Sequence, residues 1–127
     1  MSIDLGKYII HNILVIDDEK SIAFLTTIAL SKSGFNVEKA SDGLEGIKKF
    51  DEGHFDLVIT DILMPGIDGN GVVRHIRNSR RQSTPVIGVS GTPWLLEDSD
   101  FDAVLSKPSS SKTLVDTVKN LTSIIHK

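Results

Sequence analysis

Four short segments of this chain carry residues able to do chemistry together. Asp17-Asp18-Glu19 follows an apolar run at 12–16, and Asp61 follows another at 57–60. Ser90 follows a third run at 85–89, and Lys107-Pro108 follows a fourth at 103–105. Carboxylates gathered at neighbouring strand ends repel one another unless a cation sits between them, and hard oxygen donors with room for water suit Mg²⁺. The lysine offers a second cation to a carboxylate or a phosphoryl oxygen, and the serine hydroxyl can donate to that same oxygen. Singly, each residue has a plainer explanation. An Asp after a strand is a turn residue or a helix cap, as Asp17 or Asp18 would be for a helix starting near Ser21; the serine is a turn former and the lysine a solvated charge. Their coincidence at four strand ends favours a shared site.

The elements that must position these residues are legible in the apolar patterning. The β-branched runs at 12–16, 57–60 and 85–89 lack polar alternation, as strands buried on both faces of a parallel sheet do. Weaker strands fit 36–40 and 103–105. Between them, Ile22, Leu25, Ile28 and Ala29 form one helical stripe closed by Gly34 as a C-cap, and Leu44, Ile47 and Phe50 form a second ending before Gly53. Val72, Val73 and Ile76 form a third. Leu114, Val118, Leu121 and Ile125 form the clearest, with Ser110 or Ser111 as its N-cap. Five strands alternating with helices predict a flavodoxin-like, doubly wound α/β sandwich around a five-stranded parallel sheet of order 2-1-3-4-5. Ligands of such sheets bind outside the carboxyl ends of the strands, where strand order reverses, and that is where the acids, the serine and the lysine fall.

Bulk composition narrows the function. A chain of 127 residues, 39% hydrophobic and 24% charged, fits one globular domain. The absence of cysteine excludes disulfides, thiolate metal sites and cysteine nucleophiles. A net charge of −3 supplies no basic field for nucleic acid or a membrane surface. No run reaches the length of a membrane span, and the N-terminus carries no secretory signal, so a cytoplasmic location is expected. Of the 17 acidic residues 12 are Asp and 5 are Glu, an excess that fits turns, helix starts and hard-cation sites. His11, His54, His75 and His126 lack metal-ligand spacing. Neither a P-loop nor a G-x-G-x-x-G loop is present, against a small NTPase or a dinucleotide enzyme. Arg74, His75, Arg77, Arg80 and Arg81 read as the solvated face and C-terminal end of helix 3, where cations suit the helix dipole; a basic patch for an acidic partner is the alternative.

Asp17-Asp18, the stretch Asp61-Ile62-Leu63-Met64-Pro65-Gly66-Ile67-Asp68-Gly69, Ser90 and Lys107-Pro108 together resemble, in order, the receiver domain of two-component response regulators. Ala40-Ser41-Asp42-Gly43-Leu44-Glu45 resembles the start of that family's second helix. The resemblance divides the chain into an N-terminal extension, 1–11, and a receiver domain, 12–127. It implies that Asp61 is the phosphoryl acceptor, taking the group from a sensor histidine kinase or a phosphotransfer protein. Asp18 and Asp61 would bind Mg²⁺ directly with the backbone carbonyl of Leu63, and Asp17 would hold it through water. Lys107 and Ser90 would meet the phosphoryl oxygens, and the added charge would draw loop donors inward. Such a protein takes part in its own phosphoryl transfer and hydrolysis without being a turnover enzyme. Because the chain ends directly after its last helix, an unknown downstream protein is expected to read its state, with no direct contact to nucleic acid or membrane.

Some features stand without the resemblance. Pro65 fixes a backbone angle and Gly66 and Gly69 permit positive φ, so the loop after Asp61 can wrap tightly. Asp68 reads as a cap or turn residue for helix 3, and Gly91 either leaves space for a phosphoryl group or simply turns the chain. The departures from the family lie on the output side. Val104 replaces the Tyr or Phe usual three residues before the lysine. Only 16 residues separate Ser90 from Lys107, so helix 4 is expected to be shortened, with Thr92 as N-cap and Pro93 at the first helical position. Trp94 is then a core aromatic or a partner-facing anchor, and Ser109 stands where an apolar residue is common. These departures support an alternative, a phosphorylation-independent receiver-like interaction module. An aspartyl phosphatase would share the acid cluster, but that class carries D-x-D after strand 1, a spacing Asp17-Asp18-Glu19 lacks.

Overall fold

The computed structural model describes residues 9–93 and 100–124. In chain order the described elements are β1 (Asn12–Ile16), α1 (Lys20–Lys32), β2 (Asn36–Ala40), α2 (Gly43–Glu52), β3 (Leu57–Asp61), α3 (Gly69–Arg77), β4 (Val86–Ser90), β5 (Ala103–Ser106) and α4 (Ser111–Ile124). The five strands pair in parallel in the order β2-β1-β3-β4-β5, as the patterning predicts. The shortened helix expected at 92–98, Trp94 and Ile125 fall largely or wholly outside the described residues, and α4 here denotes the helix after β5.

Alternation along the strands sends side chains to two cores. Leu14, Ile16, Val58 and Val86 pack with Phe50, Val72, Val73 and Ile76 beneath α2 and α3. Ile13, Val15, Ile59 and Ile87 pack with Leu30, Leu114 and Val118 beneath α1 and α4. Each fully buried Leu, Ile or Val contributes about 1.5–3 kcal/mol of transfer free energy. The central strands β1, β3 and β4 are buried almost throughout, while β2 and β5 are half-exposed edges. That contrast is why the three central runs are unbroken in the sequence and the outer two are weak.

Side chains cap three of the four described helices, at Asp68 and Ser110 as the sequence predicts and at Asp42 in addition. Asp42 accepts from the Glu45 amide at 2.7 Å, Asp68 from the Gly71 amide at 2.9 Å, and Ser110 from the Thr113 amide at 3.1 Å. The end of α1 is a Schellman turn. Gly34, at φ +93°, donates to Ser31 and the Phe35 amide reaches back to Leu30.

Several expectations are corrected. Neither Asp17 nor Asp18 caps α1; the cap position is Glu19, whose side chain makes no capping bond, and Asp17 instead accepts the Glu19 amide at 2.9 Å. Leu25 is 64% exposed, and α1 buries Ala23 and Leu30 instead, because its first turns border the open cavity at the sheet's carboxyl end. Leu44 is 67% exposed, because α2 meets the sheet through glycines. A side chain at Gly46 would strike Ile16, and one at Gly43 would strike Ile67. Two of the four arginines are half-buried and engaged with backbone carbonyls instead of being simply solvated. Arg77 donates to the carbonyls of Gln82, Thr84 and Asp100 and pairs with Asp102 at 2.7 Å, while Arg81 donates to the Phe50 and Gly53 carbonyls. Arg77 fastens the end of α3 to the segments before β4 and β5, and Arg81 fastens the loop after α3 to the end of α2. Among the described residues no helix is long and apolar enough to cross a membrane.

Candidate functional site

The reversal of strand order around β1 and β3 places the strand ends that matter side by side. Asp61 is the last residue of β3 and 5% exposed; Asp17, one residue past β1, is 6% exposed. Ser90 ends β4 and is buried, and Lys107 follows β5. A hydrogen bond from the Lys107 amide to the Ser90 carbonyl, 2.8 Å, holds these last two strand ends together. The Lys107 ammonium lies 3.1 Å from Asp61 Oδ1 and 3.8 Å from Glu19 Oε1. Asp17, Glu19 and Asp61 each bring a carboxylate oxygen to within 4.8 Å of the others.

This acidic set differs from the expected one. Glu19, unassigned by the sequence reading, completes it, while Asp18 stays exposed outside it. The turn stapled by the Asp17–Glu19 bond returns Glu19 toward Lys107, and a longer side chain reaches further. The acidic triplet Asp17-Asp18-Glu19 carries the signal, but residue type alone does not show which of its side chains the turn aims at Lys107. Asp18 still acts through its charge on both Asp17 and Asp61.

The cluster is short of positive charge. Burial pushes the Asp61 carboxyl above its ordinary value, against the lowering effect of the Lys107 hydrogen bond and charge, with Asp18 adding to the rise. Burial likewise raises Asp17, opposed by the Glu19 amide and by Lys107. Burial alone would lower Lys107, but the Asp61 hydrogen bond and the charges of Asp61, Asp17 and Glu19 outweigh it and raise the ammonium. One lysine therefore serves several carboxylates. Hard oxygen donors in excess over cations are what a divalent hard cation needs.

The loop from Asp61 to α3 is shaped for close approach. Gly66 takes φ +77°, the positive value expected of it. Gly69 is required for a different reason than the one expected. Its φ is ordinary, but a side chain there would lie 2.6 Å from the Asp61 carbonyl oxygen and 2.7 Å from Ile62 Cα. Its amide bonds the Ile62 carbonyl at 2.9 Å, so α3 starts directly against the end of β3. Met64 is buried and anchors the loop, whereas the Leu63 side chain is 70% exposed, so any contribution of Leu63 to the site comes from its backbone.

Ser90 Oγ accepts from the Thr92 amide at 3.0 Å, which leaves its hydroxyl proton to donate. A side chain at Gly91 would meet nothing within 4 Å, so this turn leaves open space. Beside the cluster lies a cavity of about 450 Å³, floored by Asp17, Asp61 and Lys107 and walled by Ile22, Leu25 and Leu114. Val104 sits half-buried on β5, cross-strand from Gly88.

Comparison with known proteins agrees with this arrangement. Residues 13–119 match the family model described as "Response regulator receiver domain". Among curated proteins, the chain is 36% identical over 115 residues to the CAI-1 autoinducer sensor kinase/phosphatase CqsS of Vibrio cholerae, covering 85% of this chain and 17% of that protein. It is 34% identical to the uncharacterized transcriptional regulatory protein YclJ of Bacillus subtilis, covering 84% of this chain and 48% of that one. The chain thus spans less than half the length of these relatives. Among solved structures, the Thermotoga maritima response regulator TrrA, in complex with Mg²⁺-BeF, superposes with a TM-score of 0.81 at 34% identity, covering 88% of this chain and 99% of that one. The Vibrio cholerae chemotaxis response regulator CheY4 gives 0.79 at 27% identity, covering 89% and 99%. With fold, strand order and acid–lysine cluster in agreement, the chain belongs to the response regulator receiver domain family.

Proposed function

We propose that this chain is a phosphoacceptor whose Asp61 receives a phosphoryl group from the phosphohistidine of a sensor histidine kinase or phosphotransfer protein. The observation carrying this reading is the buried Asp61 carboxylate held 3.1 Å from the Lys107 ammonium at the switch point of the sheet. An Asp61 oxygen would attack phosphorus as the phosphorus–nitrogen bond to imidazole breaks, giving an acyl phosphate. Lys107 lowers the Asp61 carboxyl against the raising effect of burial and would meet the charge of the arriving group. Ser90 Oγ would donate its proton to a phosphoryl oxygen.

The donor set fits Mg²⁺, held by Asp61 and the Asp17-Asp18-Glu19 turn, with the Leu63 carbonyl as a backbone ligand. When bound, the ion neutralises charge on the phosphoryl oxygens. The chain acts as a switch consumed once per transfer, not as a turnover enzyme, and works in the cytoplasm by binding another protein. Incubation with Mg²⁺ and acetyl phosphate, followed by intact-mass measurement, tests this. One labile phosphoryl adduct, lost in Asp61→Asn, is expected. Val104 on β5 favours the second reading, a module that docks regardless of phosphorylation; no adduct and no Mg²⁺ affinity would overturn the first reading and favour the second.

A further inference from the structure

The loop carrying Asp61 and the segment leading into β5 converge over Gly88, in the middle of β4. A side chain at Gly88 would lie 2.9 Å from Ile62 Cδ1 and 3.0 Å from both Cδ1 and Cε1 of Phe101. Gly88 is flanked in the sheet by Thr60 and Val104, neither of them aromatic. The ring lying over the strand is therefore supplied from outside the sheet, by Phe101, which packs against the core beneath α3.

The main chain on both sides of Phe101 is fixed. Arg77 donates twice to the Asp100 carbonyl, at 2.7 and 3.1 Å, and the Asp102 amide donates to Val86 at 2.8 Å. The Asp102 carboxylate accepts from Arg77 and from the Val86 amide, both at 2.7 Å. The ring keeps only its own side-chain torsions. Ile62, on the other side of the slot, directly follows Asp61 and is tied to β4 by its amide bond to the Val89 carbonyl, 3.0 Å. Packed interiors have no slack, so a displacement of the Asp61–Ile62 segment is felt at the ring.

We propose that Phe101, seated on Gly88 opposite Ile62, is the aromatic through which the state of Asp61 reaches the β4–β5 side of the sheet. Phe101 touches no reacting atom; it acts through Ile62, and it fills a role Val104 is too small to fill. The proposal rests on the phosphoacceptor reading above. Its test is ¹⁹F NMR of the chain labelled with 4-fluorophenylalanine at all 5 Phe positions, the Phe101 signal being identified by its loss in Phe101→Leu. On phosphorylation of Asp61 by acetyl phosphate with Mg²⁺, acetate leaving, the Phe101 signal is expected to move while that of Phe35, in the opposite core, stays. Ile62→Val removes Cδ1 alone and is expected to cut the movement by roughly half or more at equal adduct content. An adduct that leaves the Phe101 signal in place, or a movement that Ile62→Val does not reduce, overturns this proposal and spares the phosphoacceptor reading. No adduct in the native chain overturns both.

Discussion

At the amino ends of the strands, half-buried and exposed polar groups pair with one another. The Asp56 carboxylate accepts the Asn12 amide at 2.7 Å and lies 3.6 Å from His11, and the Asn36 side chain donates to that of Asn12 at 2.8 Å. At the carboxyl ends, Asp17, Glu19 and Asp61 crowd around Lys107, and two of them are held above their ordinary pKa by burial. The same sheet supports both ends. One ties strands together through Asp56 and Asn12 and stabilises the fold; the other keeps an electrostatic deficit that a bound cation or a proton relieves. Stability and function are thus separated along the strand axis.

That separation can be attacked at its strongest point with Lys107→Met. Removing the cation that pairs with Asp61 among the described residues is expected to slow phosphorylation by acetyl phosphate about 100-fold, the scale of losing one preorganised charge partner. A rate within threefold of native, measured by intact mass over time, would mean that the lysine is an ordinary ion pair.

Within the acidic turn, Asp18→Asn is expected to weaken Mg²⁺ binding about tenfold, and Glu19→Gln about threefold. Asp18 is taken as a direct ligand of the proposed ion, whereas Glu19 carries the longer side chain, and fixing it costs more conformational entropy. Isothermal titration of Mg²⁺ reads both, and the reverse order would make Glu19 the principal ligand.

At the opposite end, Asp56→Ala strands the Asn12 amide and should cost about 1–2 kcal/mol in urea unfolding. Labelling of Asp61 should be unaffected; a fall in labelling would show that the two ends are coupled.

The smallest expected effect is a gain. Because the folded-state pKa of Asp61 is raised, the native state binds the proton more tightly than the unfolded chain does. Its contribution to stability is greatest below the ordinary carboxylate value and is lost as pH rises through the folded-state value. Asp61→Asn is therefore expected to stabilise the fold at pH 7 by about 1 kcal/mol, with the gain disappearing in acid. Millimolar Mg²⁺ should raise the melting temperature of the native chain more than that of the variant. A variant less stable than native at pH 7 would contradict the deficit.

Much of this molecule was legible before any coordinates. The runs at β1, β3 and β4 are apolar without alternation because both of their faces are buried, and Asp17, Asp61, Ser90 and Lys107 mark where those strands and β5 end. Helical stripes were read less well. Leu25 and Leu44 fit the periodicity yet remain exposed, because periodicity reports a shared face and not what covers it. Glycines hid a contact in the same way. Gly46 carries no hydropathy signal, but its missing side chain is what lets α2 reach Ile16.

The sequence by itself determined the alternation of strands and helices, the strand ends at which polar groups fall, and the caps Asp68 and Ser110. These are local matters, settled by residue type and spacing within a few positions. Only the tertiary structure decided which acids share a point in space, that Glu19 faces Lys107 while Asp18 stays outside, that Arg77 and Arg81 fasten helices, and that Phe101 covers Gly88. Each of those facts joins segments distant in sequence, or depends on how a turn is aimed by its distant partners, and no local pattern encodes that aim.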